Sequence, residues 1–167
     1  MIPASRQRNY LQAALYVIIA GIAATILLER LLTYAEAAEK SATEVTLSQL
    51  HSALYARMAY LAMRGEHGTL EAMATQSPFL AANVKSPNYL GEFDGVPPDA
   101  KSGSWLYDRA RHELVYVPRL ARHLSSPTGG DLPVLLRYRV EIYKAAKFSY
   151  TGVALKPAQA VRWQPLP

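Results

Sequence analysis

Cysteine is absent from the 167-residue chain, which excludes a disulfide framework and a thiolate metal site and leaves the compartment unmarked by redox chemistry. Glycine and proline are missing from Ile22 through Arg64, so nothing there interrupts a helix. Charge is missing from Asn9 through Leu28. Histidine is scarce: His51, His67, His112 and His123 have no metal-site spacing, and His112–Glu113 lacks a second histidine four residues on. No serine stands in a Gly-x-Ser-x-Gly setting, and the Gly129–Gly130 pair, read as a turn, has no phosphate-loop lysine after it. These absences leave no constellation for catalysis, so neither enzyme activity nor a cofactor or metal is expected.

What is present divides the chain in two. Half the residues are apolar and about a fifth are charged, which excludes a disordered chain, and all eleven prolines except Pro3 follow Ser77, marking a loop-rich second half. The net charge of +5 raises the question of nucleic acid. Its distribution answers against it: Arg109, Arg111, Arg119, Arg122, Arg137 and Arg139 are interleaved with hydrophobic residues of strand-like segments, as on a solvated sheet face. No nucleic-acid partner is expected.

The uncharged run makes a helix of ~30 Å at ~1.5 Å per residue, one bilayer crossing. The residues fall into a basic leader (1–9) with Arg6 and Arg8, a transmembrane helix (10–32) and an outer domain (33–167). A cleaved signal would carry a shorter apolar stretch ending in small residues; here Glu29, Arg30, Leu31 and Leu32 carry the helical pattern onward, so the anchor is expected to stay attached. The two arginines before the span place the amino terminus in the cytoplasm. With so short a leader no cytoplasmic signalling output is expected. Ala20, Gly21, Ala23 and Ala24 are small residues that permit close helix–helix approach.

Beyond the span, Leu47, Leu50, Leu54, Met58 and Leu61 recur at spacings of three and four, one buried stripe on a helix. Gly65 supplies the stop. The outer half of that helix (33–64) reads as amphipathic, with Glu36, Glu39, Lys40, Glu44, Gln49 and Arg57 in water. Residues 65–103 read as a loop holding one short helix over Gly68–Gln76, with Leu70 and Met73 inward and Tyr89, Leu90 and Phe93 pinned on the core. Ser104–Asp108 and Glu113–Val117 read as a hairpin, with Trp105, Tyr107 and Tyr116 as core aromatics. Leu136, Tyr138, Val140 and Ile142 alternate with Arg137, Arg139, Glu141 and Tyr143 as a strand with one buried and one wet face. Ser149–Leu155 and Ala160–Trp163 complete a sheet over 104–163. The fold class is α+β: a long amino-terminal helix packed on a small antiparallel sheet.

Arg6, Gln7, Arg8, Asn9 and Tyr10 before the apolar run, Asn88–Glu92, and Gly103–Asp108, set in this order of elements, resemble the type IV pilin and type II secretion pseudopilin family. In that family's processing motif a glycine precedes an aromatic residue that becomes the new amino terminus, with glutamate at its fifth position. Here Asn9 stands at the glycine, Tyr10 at the aromatic residue and Ala14 at the glutamate. A shifted match through Gly21 puts Gln12 at the glutamate and makes Arg8 the first residue. Neither register supplies the carboxylate, so slow or absent cleavage is expected. The resemblance implies a pilin-like fold in the bacterial inner membrane with a periplasmic domain, partnered by the membrane and by other pilin-like subunits. Lacking the glutamate, the chain fits a minor subunit at a filament tip. The alternative is an anchored accessory domain that binds a partner.

Overall fold

The computed structural model describes residues 4–125, 134–145 and 148–164; the Gly129–Gly130 turn lies outside them, as do the side chains of Arg6, Arg8, Asn9 and Leu70. Helix α1 (Ala4–Met63) takes in residues 4–9 of the leader, the span, and the outer helix as far as Met63. Two compact units divide at its middle, Met1–Ala38 and Glu39–Pro167. The helix stops where expected: Gly65 sits at φ +71, Glu66 N donates to Leu61 O and Gly65 N to Ala62 O, the paired bonds of a glycine C-cap that satisfies the last carbonyls.

The outer unit is an α+β layer pair, a helix on a five-stranded, mostly antiparallel sheet. After α2 (His67–Ala72) and α3 (Pro78–Ala81) come β1 (Tyr89–Phe93), β2 (Ser104–Asp108), β3 (Glu113–Val117), β4 (Leu124–Ser125), β5 (Leu136–Ala145), β6 (Phe148–Pro157) and β7 (Arg162–Trp163). The main sheet runs β1-β2-β3-β5-β6, and β4 with β7 forms a separate ribbon. The hairpin β2–β3 has the expected bounds, with Ser104 opposite Val117 and Asp108 opposite Glu113. The stretch read as loop holds an element that was not foreseen. Strand β1 pairs parallel to β2, which requires its connection, residues 94–103, to cross over the sheet.

That crossover corrects the reading of one wet face. On the side toward α1, Leu50, Leu54 and Leu61 pack against Trp105, Leu114, Leu136, Val140 and Val153 in two clusters. On the other side Val96 and Ala100 of the crossover, with Phe93, cover Leu106, Val115 and Val117. Strands β2 and β3 are therefore buried on both faces. Arg137, expected in water, lies in an ion network with the buried carboxylates of Asp108 (3.3 Å) and Glu113 (3.2 Å). Buried charges persist only when so paired.

Gly103 closes the crossover. Its φ is +80 and a Cβ there would run into the Arg119 guanidinium, while its N–H donates to Val117 O. Arginine's far end can move aside, so backbone strain dominates: Gly103→Ala is expected to lose about 1–2 kcal/mol. Urea titration of the full chain in detergent should show a lower midpoint at unchanged slope.

Candidate assembly surface

In the first unit the described residues from Tyr10 through Leu31 are all exposed, among them Ile18, Ile22, Ile26 and Leu28 at more than half of their full area. The helix is long and apolar enough to cross a membrane, and none of its most apolar window is buried within the chain. An exposed apolar surface of that extent needs lipid or protein against it. Tyr10 and Tyr34, both exposed, bracket the apolar run as aromatic residues do at the two interfaces of a bilayer. Threonines inside it are satisfied without outside help: Thr25 donates to Gly21 O at 2.9 Å and Thr33 to Glu29 O at 3.0 Å.

The processing-motif positions Tyr10, Gln12 and Ala14 are exposed helical residues, and Asn9 belongs to the same helix. Ala20, Gly21, Ala23 and Ala24 are exposed too, and a Cβ on Gly21 meets nothing within 4 Å. Among the described residues nothing gives Gly21 a packing reason to be small.

In the outer unit Glu44, Gln49 and Arg57 of α1 are exposed as amphipathicity placed them, but Glu39 is not. Glu39 turns to the sheet and accepts the Tyr116 hydroxyl at 2.8 Å, Arg119 N at 2.7 Å and Leu120 N at 3.1 Å. Lys40 and Glu44 flank a groove of about 300 Å³ whose other walls include Leu136, Tyr138, Val161 and Trp163. Glu36, also expected in water, is buried. The back of the helix is left to Ser41, Val45, Ser48, Ser52, Tyr55 and Ala59, all exposed and spaced alternately four and three. Val45 and Tyr55 stand more than half exposed. Upstream, the same spacing runs through Ala20, Ala24, Leu27, Leu31, Tyr34 and Ala38 without a charge. An uncharged ridge along an exposed helix is a surface on which another helix can pack.

The remaining candidates are structural. His51 Nε2 lies 3.1 Å from Val153 O of the sheet edge, His112 holds the β2–β3 turn at φ +53, and Arg64 pairs with Glu66 at 2.6 Å. Met58 is core as expected, whereas Met63 is 89% exposed at the helix end. Among the described residues no group of histidine and carboxylate side chains could hold a metal. Burial is the main cause that pushes the Tyr107, Tyr116 and Tyr138 hydroxyls up to about 12, reinforced by Glu92, Glu39 and Glu44 respectively. Sequence reasoning missed the Glu39 clamp because its partners lie about eighty residues away, and no local period marks them. No family model, curated protein or solved structure matches this chain.

Proposed function

We propose that this protein is a minor pilin-like or pseudopilin-like structural subunit, anchored in the bacterial inner membrane with its outer unit in the periplasm. It assembles through α1 into, or at the tip of, a type IV pilus or type II secretion filament. The observation that carries this reading is the uncharged exposed ridge of α1 in the outer unit, whose spacing in the sequence continues through Ala24 and Ala20 of the span. A tether needs hydrophobicity only within the bilayer, because insertion follows summed hydrophobicity. An assembling helix needs an uncharged seam beyond the bilayer as well, as Ser41, Val45, Ser48, Ser52, Tyr55 and Ala59 provide. The mechanism is packing, and no chemistry is required of the subunit.

The groove beside Lys40, Glu44 and Trp163 favours the second reading, an anchored accessory domain that binds a partner. One experiment separates them. Because the chain has no cysteine, Ser52→Cys is a single reactive site on the seam, and oxidation in cells should yield disulfide adducts with cysteine-bearing helices of neighbouring pilin-like subunits. In the same background Gly21→Leu with Ala24→Leu enlarges the span's small face without a clash inside the chain. It should leave insertion and the outer fold intact while abolishing the adducts and filament or secretion function. Full function from that double variant would leave the accessory domain as the better account.

A further inference from the structure

In the outer unit the groove beside α1 carries two unpaired charges. Lys40 and Glu44 stand one helical turn apart on its helical wall, ~6 Å along the axis, and among the described residues neither forms an ion pair. Tyr138, Pro157 and Trp163 add two aromatic rings and a proline ring. At about 300 Å³ the groove is at the small end of ordinary ligand sites, too small for a helix and large enough for the tip of a turn.

The crossover supplies such a turn. Ala100 N donates to Pro97 O at 3.1 Å, closing a β-turn with Pro98 and Asp99 at its tip, both exposed. The Pro98 ring fixes its own backbone, and Ser104 Oγ donates to Lys101 O. The knob is thus ordered before it meets a partner, which lowers the entropy lost on docking. Asp99 and the exposed Lys101 are also without ion pairs among the described residues. Two residues apart, they stand no more than about 7 Å from each other. The knob therefore offers an acid and a base at the spacing at which the groove offers a base and an acid. The crossover covers the sheet face opposite α1, whereas α1 itself walls the groove, so a chain cannot fill its own groove.

We propose that the Pro98–Asp99 turn of one copy docks in the groove of a second copy, with Asp99 on Lys40, Lys101 on Glu44 and Pro98 against the rings of Tyr138 and Trp163. Knob and groove are different surfaces, so the contact is head to tail and propagates from copy to copy instead of closing as a symmetric pair. It involves the outer unit alone and is separate from the seam on α1. One knob buries little surface, so a single contact is weak and gains strength by repetition.

The test uses the full chain, which has no cysteine of its own, in detergent. One population carries Ser102→Cys beside the knob, and a differently tagged one carries Ala160→Cys beside the groove; both positions are exposed. Treated with a short bis-maleimide, the mixture should give mixed dimers about fivefold above the self-dimers of either population. Glu44→Lys in the second population sets like charge against Lys101 and should cut that yield about fivefold, and Lys101→Glu in the first should restore it. Restoration excludes misfolding as the cause of the loss. Lys40→Glu and Asp99→Lys should behave in the same way. Gly21→Leu with Ala24→Leu should leave the cross-links in place, which separates this contact from the seam. Mixed dimers no more abundant than self-dimers overturn the proposal, as does a loss in Glu44→Lys that Lys101→Glu fails to restore. An unchanged yield in Glu44→Lys overturns it too, in favour of an occupant held by other chemistry. Loss of the cross-links in the Gly21 and Ala24 variant overturns it by showing that the outer units meet only where the spans pack.

Discussion

Arg137→Met is expected to destabilise the full chain by about 3–5 kcal/mol, the range for removing one partner from a buried ion group. Asp108 and Glu113 are direct partners across β2 and β3, and both are buried. Like charges facing each other across a sheet repel. Arg137, itself only 11% exposed, lies within 3.3 Å of both and turns a repulsive pair into a satisfied triad. Among the described residues its loss leaves Asp108 with only the Arg111 N–H at 3.3 Å and Glu113 with only the half-exposed Arg139. Arg139 also reaches Glu113, at 2.8 Å, but its side chain is 53% exposed, so Arg139→Met should cost no more than about 1 kcal/mol. Replacing the charges together, as Asp108→Asn and Glu113→Gln in the Arg137→Met background, should recover a large part of the loss. Urea titrations in detergent decide it, and an Arg137→Met chain within 1 kcal/mol of the parent would show that the crossover does not seal the network from water.

That network also shows what a period-two pattern can and cannot convey. Alternation placed Arg137 on the face opposite Leu136 and Tyr138, and the register agrees, since Arg137 pairs with Val115 on that face. Alternation does not say what covers a face. The cover here is a ten-residue connection with no periodicity, required only because β1 runs parallel to β2, and β1 itself is broken by a register shift between Tyr89 and Glu92 with Gly91 at φ +113. Elements set by local rules were legible: Gly65 ends α1, the Arg109–His112 turn closes the hairpin, and the Leu47–Leu61 stripe packs on the sheet. Ala160–Trp163 read as a strand, but its partner, Leu124–Ser125, has too short a run to show a period. The seam on α1 was hidden for a related reason. Glu36, Glu39, Lys40 and Glu44 look like a wet face, and only the distant Tyr116, Arg119 and Leu120 reveal that Glu39 points into the fold.

Above pH 10 the outer unit should lose stability steeply, because three tyrosines resist ionisation only while it is folded. Tyr107, Tyr116 and Tyr138 are pushed up to about 12 from an ordinary value of 10, chiefly by burial. A folded-state value above the unfolded one means the stabilisation is complete below pH 10 and is lost as the pH rises through about 12. Three hydroxyls shifted in the same direction make this loss a substantial part of the stability of a typical domain, about 5–15 kcal/mol. The phenylalanine variants separate the contributions. Tyr107 has a buried hydroxyl with no hydrogen-bond partner among the described residues, so Tyr107→Phe should be neutral or slightly stabilising at pH 7 and should soften the alkaline loss. Tyr116→Phe also softens it but costs about 1–2 kcal/mol at pH 7, because Glu39 then loses its 2.8 Å donor. Urea midpoints followed from pH 8 to about 12, alongside tyrosinate absorbance, test the scheme. Tyrosinate appearing with the ordinary midpoint while the fold persists would show that these rings titrate in contact with water, and that the seal between α1 and the sheet is open.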